Sequence, residues 1–338
     1  MAPIKLTWMK SLLISFLSTL LIWQVPNQCF SQQATGPTYL PSILMEGRFY
    51  LKIPALNGDT LLGLCDTGGG YTAIYPKTVG RLKMDSKIAH VTIKNETTDY
   101  ILTQEIYDNP VIPKPKLNPY FRAYEQNSFF EVADQATSSS FTTYIPHDVF
   151  LGQFFFIGHA WIFDYQAGKI MINAPLGENS GDKNIQKLSF KREKSGNKQF
   201  AHPRMSLSVD GDKVDMLFDT GASFILSEAG KVGLGTSRSS VAGSFIAKSI
   251  FDTWRQRHPD WRVLEKGELT GSDLIEVPQV QIGTLVAGPV WFASRDDEVW
   301  RRMASSMDKP VKGAIGGSFL QYFKVQIDYN NDLIRFEK

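Results

Sequence analysis

The chain has 338 residues, 43% hydrophobic and 21% charged, enough apolar material for a sizeable core, which excludes a protein dominated by disorder. Its 36 basic side chains nearly balance 34 acidic ones, and no run of Lys and Arg occurs, which excludes a nucleic-acid-binding surface. The length fits two or three domains, or one bilobal body.

At the N-terminus, Lys5 and Lys10 precede an apolar run over 11–25 that includes Leu12, Leu13, Ile14, Phe16, Leu20, Ile22 and Trp23. This reads as a signal peptide spanning 1–31, with small residues Cys29 and Ser31 placing cleavage before Gln32. An uncleaved anchor is the alternative, but a bilayer span needs about twenty apolar residues. Removal of the signal takes Cys29 and two lysines away, leaving a chain close to neutral. Cys65 then stands alone beside Leu64, a setting for buried packing rather than chemistry.

Residues 52–69 read as two strands joined by a tight turn at Asn57-Gly58, ending in Asp66-Thr67-Gly68-Gly69. A proline-rich, loop-rich excursion follows, with Pro110, Pro113, Pro115 and Pro119 leading towards Ser138-Ser139-Ser140. Next come Phe150-Leu151-Gly152, the pair Phe155-Phe156, and a hairpin that turns after Asp164-Tyr165. Residues 175–187 form a polar connector without apolar periodicity. Beyond it, 205–222 aligns without a gap on 52–69, and Asp210-Gly211 makes the turn ahead of Asp219-Thr220-Gly221-Ala222. Short amphipathic helices are expected over 249–263, broken at Pro259, and over 296–307. Finally, Ala314-Ile315-Gly316, Phe319-Leu320 and Asp328-Tyr329 repeat the order seen after Phe150, with twelve residues from Gly to Asp in both copies. The chain is therefore a duplication, with halves at 32–180 and 181–338.

A single Asp-Thr-Gly arises by chance in about one chain of this length in fifteen. Two copies at equivalent places of a duplicated unit are a far stronger signal. The pattern resembles the aspartic peptidases, both the two-lobed pepsin type and the retroviral type, and the likeness runs from about Phe49 to the C-terminus. Leu217-Phe218-Asp219-Thr220-Gly221-Ala222-Ser223 is close to the retroviral form, and Ala314-Ile315-Gly316-Gly317-Ser318-Phe319-Leu320 is similar to the end of both types. The resemblance implies an all-β, bilobal pepsin-like acid protease fold, with two homologous β-barrel-like lobes and short helices. It implies that Asp66 and Asp219 are the catalytic pair. Thr67 and Thr220 would cross-bond the two loops, Gly68 and Gly221 would allow the tight turns, and Leu151-Gly152 and Ile315-Gly316 would pack behind them.

The chemistry accounts for these residue types. Two carboxylates about 3 Å apart cannot both ionise, so they share a proton and titrate as a pair. The charged member can draw a proton from water while the protonated member hydrogen-bonds a scissile carbonyl, with no metal, cofactor or covalent intermediate. The expected activity is that of an exported aspartic endopeptidase, periplasmic or extracellular, acting on polypeptide as a monomer without stable membrane association. The alternative is a catalytically silent peptide-binding protein on the same fold. Pepsin-type enzymes usually carry Ser or Thr after the Gly, where this chain has Gly69 and Ala222. Losing those donors raises the pair's pKa values and sets an expected pH optimum of about 5 to 6. Candidate flaps are 91–107 and 237–250, and the excursion over 94–147 is long enough to cover the cleft. Scattered histidines without His-Glu-x-x-His argue against a metal hydrolase, and the lack of Gly-x-Ser-x-Gly against a serine hydrolase. Asp164 and Asp328, each before a Tyr and a turn, read as structural.

Overall fold

The computed structural model describes residues 36–93, 96–116, 130–134, 142–177 and 181–338. The expected signal segment and cleavage site lie outside the described residues, as do much of the proline-rich excursion and Ser138-Ser139-Ser140. The protein is mostly β, with short helices between strands. Among the described residues, an eight-stranded sheet draws all its strands from 42–151, a nine-stranded sheet draws all of its strands from 204–315, and a six-stranded sheet takes strands from both halves of the chain.

The repeated hairpins behave differently at their turns. Arg204–Val209 and Asp212–Phe218 are joined by Asp210 and Gly211, both at positive φ (52° and 80°), the conformation a two-residue hairpin turn requires. The first copy was expected to turn as tightly, but five residues, 55–59, separate Arg48–Pro54 from Thr60–Cys65. The register does not stop at Pro54, which lies opposite Thr60; the extra length comes from a turn closed by Gly58 N–H to Ala55 O at 3.0 Å, with Gly58 at positive φ (89°). The loop is also closed by Ala55 N–H to Asp59 O (2.8 Å), with the Asn57 side chain accepting from Asp59 N–H (3.1 Å).

Each long hairpin strand lies parallel to the short strand that carries the second motif. Cys65 pairs with Leu151 where Thr60–Cys65 meets Val149–Leu151, and Phe218 pairs with Ile315 where Asp212–Phe218 meets Gly313–Ile315. The segments identified as later copies of one another also pair. In the six-stranded sheet Ala160–Asp164 runs antiparallel to Lys324–Asp328, with Ile162 opposite Gln326 at the centre and Ala160 opposite Asp328, Asp164 opposite Lys324 at the ends. Equivalent residues thus exchange partners about an approximate twofold axis.

One core cluster crosses the duplication, joining Phe49, Trp161 and Phe163 to Met205, Phe218, Ile315 and Phe336. Trp161 is fully buried, its indole N–H held by Phe156 O at 2.9 Å, and it packs on Phe155 and Phe156. The connector is better anchored than its polar composition predicts. Leu176 N–H bonds Asp328 Oδ2 (2.9 Å), and Ile185–Lys187 pairs with Leu333–Glu337 at the sheet edge. Helices Lys248–Arg257 and Asp297–Met303 occupy the two amphipathic stretches, the first ending before Pro259.

Candidate active site

Asp66 and Asp219 each follow the last residue of a hairpin strand, and the pairing partner fixes where each turns. Asp66 N–H donates to Leu151 O (2.9 Å) and Asp219 N–H to Ile315 O (3.0 Å). Gly152 and Gly316 then press on the aspartate loops. A Cβ at 152 would lie 1.8 Å from Tyr71 O, and one at 316 would lie 2.3 Å from Gly243 O and 2.6 Å from the Ala222 methyl. Only a residue without a side chain fits behind each loop.

The two loops are tied by Thr67 and Thr220, both fully buried. Thr220 Oγ1 accepts from Thr67 N–H (3.2 Å) and donates to Cys65 O (2.8 Å); Thr67 Oγ1 accepts from Thr220 N–H (3.1 Å) and donates to Phe218 O (2.9 Å). Each hydroxyl therefore grips the carbonyl immediately before the opposite aspartate. The result brings the two carboxyl groups together. Each rests on the other loop's glycine, and the Asp219 charge acts on Asp66. A Cβ at 68 would sit 2.5 Å from Asp219 Cγ, and one at 221 would sit 2.1 Å from Asp66 Oδ2. Gly68 and Gly221 are required by this close approach.

Burial is the main cause that raises both carboxyls above the ordinary range, and for Asp66 the Asp219 charge adds to it. The pair is not symmetric. Asp219 is partly exposed, and its Oδ1 accepts from Gly221 N–H at 3.0 Å. Asp66 is only 8% exposed, and its Oδ1 has no hydrogen-bond partner among the described residues. The more solvated surroundings of Asp219 favour the charged form more than the buried surroundings of Asp66 do.

Gly69 and Ala222 leave the carboxyls with backbone donors alone, from Gly68 and Gly69 at Asp66 and from Gly221 and Ala222 at Asp219. The two positions differ in room: a Cβ at 69 would lie 2.4 Å from the Phe150 ring. Leu151 and Ile315 are fully buried below the loops.

Gln153 was not singled out from sequence. It is 1% exposed, donates through Nε2 to Gly70 O (3.1 Å) and accepts Ala201 N–H at Oε1 (2.6 Å), linking the first aspartate loop to the second half. The available signal was a lone amide inside the apolar run Phe150 to Phe156. Ser244 has a related role: its Oγ accepts Gly316 N–H at 3.0 Å and meets Ser318 Oγ at 2.8 Å.

Of the flap candidates, 237–250 is not a hairpin. Ser240–Ala242 pairs with Ser223–Ile225, and Ser244–Ala247 enters the nine-stranded sheet before a helix begins at Lys248. The first candidate, 91–107, overlaps a hairpin built from Ser86–Ile93 and Glu96–Thr103, whose facing β-prone residues pair along the full length of both strands. The expectation that the excursion covers the cleft falls largely on residues outside the described ones. Asp164 accepts Ala167 N–H (2.8 Å), and Asp328 accepts the N–H groups of Asn330 and Asn331 (2.8 and 3.1 Å), so both shape turns. Cys65 is buried, and burial pushes its thiol well up, away from reactivity. Among the described residues no cluster of His, Cys, Asp and Glu suits a metal ion. No protein-family model matches the chain, and no curated protein matches it.

Proposed function

We propose that this protein is an aspartic endopeptidase with a bilobal, pepsin-like arrangement, its lobes formed by 32–180 and 181–338 and joined through the six-stranded sheet. The observation that carries the reading is the reciprocal threonine grip, which sets buried Asp66 and partly exposed Asp219 each against the other's loop, where two carboxyls can share a proton. In this reading Asp219 draws a proton from a water between the carboxyls while Asp66 donates its proton to the scissile carbonyl oxygen. The resulting hydroxide attacks the carbonyl carbon; as the tetrahedral intermediate collapses, Asp219 passes its gained proton to the leaving amine and Asp66 takes one back from a hydroxyl of the intermediate, restoring the pair. The polypeptide would lie between the halves as an added strand, held by backbone hydrogen bonds. The hairpin of Ser86–Ile93 and Glu96–Thr103 is the segment best suited to close over it. A single chain supplies both aspartates, so a monomer suffices, and export directs the enzyme to a periplasmic or extracellular setting.

Cleavage of an unfolded protein in water labelled with heavy oxygen tests the reading. Direct attack by water places label in each new carboxyl terminus, and an added amine nucleophile captures no acyl group. Acyl transfer to the amine, or inhibition by a metal chelator, contradicts it.

A further inference from the structure

Arg48 is a buried cation that the proposed chemistry does not use. It opens the strand Arg48–Pro54, is 1% exposed, and stands where the first half meets the second. Its Nη1 donates to Ser223 Oγ (3.0 Å) and its Nη2 to Ser240 Oγ (3.0 Å), residues that face the first half from the paired strands Ser223–Ile225 and Ser240–Ala242. Glu46, on the hairpin turn just before it, supplies the countercharge through Nη2. Nε has no partner among the described residues. A buried guanidinium is costly unless it is paired and hydrogen-bonded, and Glu46 with two serines of the second half meets that need.

What it holds leads to the dyad. Ser223 Oγ, the acceptor for Arg48, donates in turn to Gly221 O at 2.8 Å. Gly221 is the residue on which the Asp66 carboxyl rests, and its N–H bonds Asp219. Arg48 can only donate, so it orients the Ser223 hydroxyl with its proton towards Gly221. Ser240 Oγ is fixed separately, by donation to Tyr144 O at 2.9 Å. The same face is closed by small residues: a Cβ at Gly47 would lie 2.7 Å from the Ala242 methyl, and Ala242 N–H bonds Glu46 O at 2.9 Å.

We infer that Arg48 is a positioning residue for the catalytic pair, acting through Ser223 to fix the peptide at Gly221 against both carboxyls. The inference rests on the peptidase reading for its kinetic consequences, but its structural consequence, the separation of the two carboxyl titrations, does not need cleavage. The titratable groups facing the pair are Tyr165 near Asp219 and Tyr71, Tyr75 and Cys65 near Asp66, all held neutral by burial. Arg48 reaches the pair through hydrogen bonds.

The test compares the parent with Ser223→Ala, Ser240→Ala, Arg48→Lys, Arg48→Met and the double variant Ser223→Ala/Arg48→Met. Ser223→Ala and Arg48→Met should each lower kcat roughly tenfold or more with KM within about twofold, and the double variant should be no worse than Arg48→Met, the signature of one chain of contacts. Ser240→Ala should stay near the parent, and Arg48→Lys should recover only part of the loss because it cannot reach both serines. Thermal midpoints recorded beside the kinetics separate loss of folding from loss of rate. The second readout is carboxyl NMR of the parent and Ser223→Ala, with Asp66→Asn and Asp219→Asn for assignment. The two steps of the pair should move closer together in Ser223→Ala. Parent-like kcat and unchanged carboxyl titrations in Ser223→Ala overturn the positioning role. If the parent cuts nothing, the peptidase reading fails, and the carboxyl titration alone then decides for or against Arg48.

Discussion

At the scale of single residues, the site is built from groups whose roles are interchangeable between halves but whose surroundings are not. The hydroxyls of Thr67 and Thr220 each accept one N–H and donate to one carbonyl, so an isosteric loss strands two buried backbone groups. Thr220→Val should cost about 2 to 4 kcal/mol in chemical denaturation and abolish the shared titration, while Thr220→Ser should recover most of both. A Thr220→Val protein as stable as the parent would show that the grip is dispensable. Gly69 and Ala222 give a second residue-level outcome. Ala222 already has a Cβ, so Ala222→Ser adds a hydroxyl donor to the charged Asp219 and should lower the pH optimum by about half to one unit. Gly69→Ser meets the Phe150 ring and should lose activity at every pH instead. An unmoved optimum in Ala222→Ser would remove the ground for expecting a mildly acidic optimum. These positions were legible because the motif occurs twice. Gln153 and Arg48 were not, since each acts on residues far away in the chain and neither type is marked by periodicity or spacing.

At the scale of elements, the duplication explains why corresponding strands meet. Ala160–Asp164 and Lys324–Asp328 pair about their own equivalent residues, which places the two aspartate loops on opposite sides of one axis. Trp161 lies in this pairing and also in the core that joins both halves. Trp161→Ala should cost about 3 to 5 kcal/mol, and the loss should appear as one cooperative transition. Two separated transitions, with only one shifted, would mean that the halves unfold independently. The repeated strands could be read from residue pattern, and the place of Gly152 and Gly316 behind the loops from the family resemblance that the repeat carries. The five-residue loop at 55–59 could not, because Gly58 serves as the positive-φ residue of a longer turn, closed by its N–H to Ala55 O, and Asn-Gly suits turns of either length. The second-half flap candidate failed for a related reason. Residues 240–247 have strand character, but their partners, Ser223–Ile225, Val290–Arg295 and Gly313–Ile315, are distant in sequence, and local pattern does not reveal pairing of that kind.

At the scale of the whole molecule, the dyad and two buried histidines pull stability in opposite directions with pH. Burial lowers His147 and His202 from 6.5 to about 4. Between those values the unfolded chain takes up protons that the folded chain refuses, so each contributes stability above about pH 6.5 that is lost towards pH 4, up to about 3 kcal/mol apiece. The raised carboxyls act the other way, contributing stability below their unfolded values that is lost as pH rises through the folded ones. The contributions oppose one another in the parent, so the histidine share is read by difference: between about pH 7 and about pH 4 the midpoint of His147→Gln should fall by less, or rise by more, than that of the parent. Asp66→Asn should raise the midpoint at neutral pH. A pH dependence of the midpoint in His147→Gln identical to the parent's would contradict the assignment of His147 as buried and neutral.

The central claim is that Asp66 and Asp219 act as one proton-sharing pair, and the most direct measurement is cleavage of an unfolded protein by the parent, Asp66→Asn and Asp219→Asn from about pH 3 to about pH 8. The account predicts a bell-shaped profile for the parent with its maximum near about pH 5 to 6, and loss of activity in both variants. Cleavage surviving either substitution, or a parent that cuts nothing at any pH while remaining folded, would contradict it.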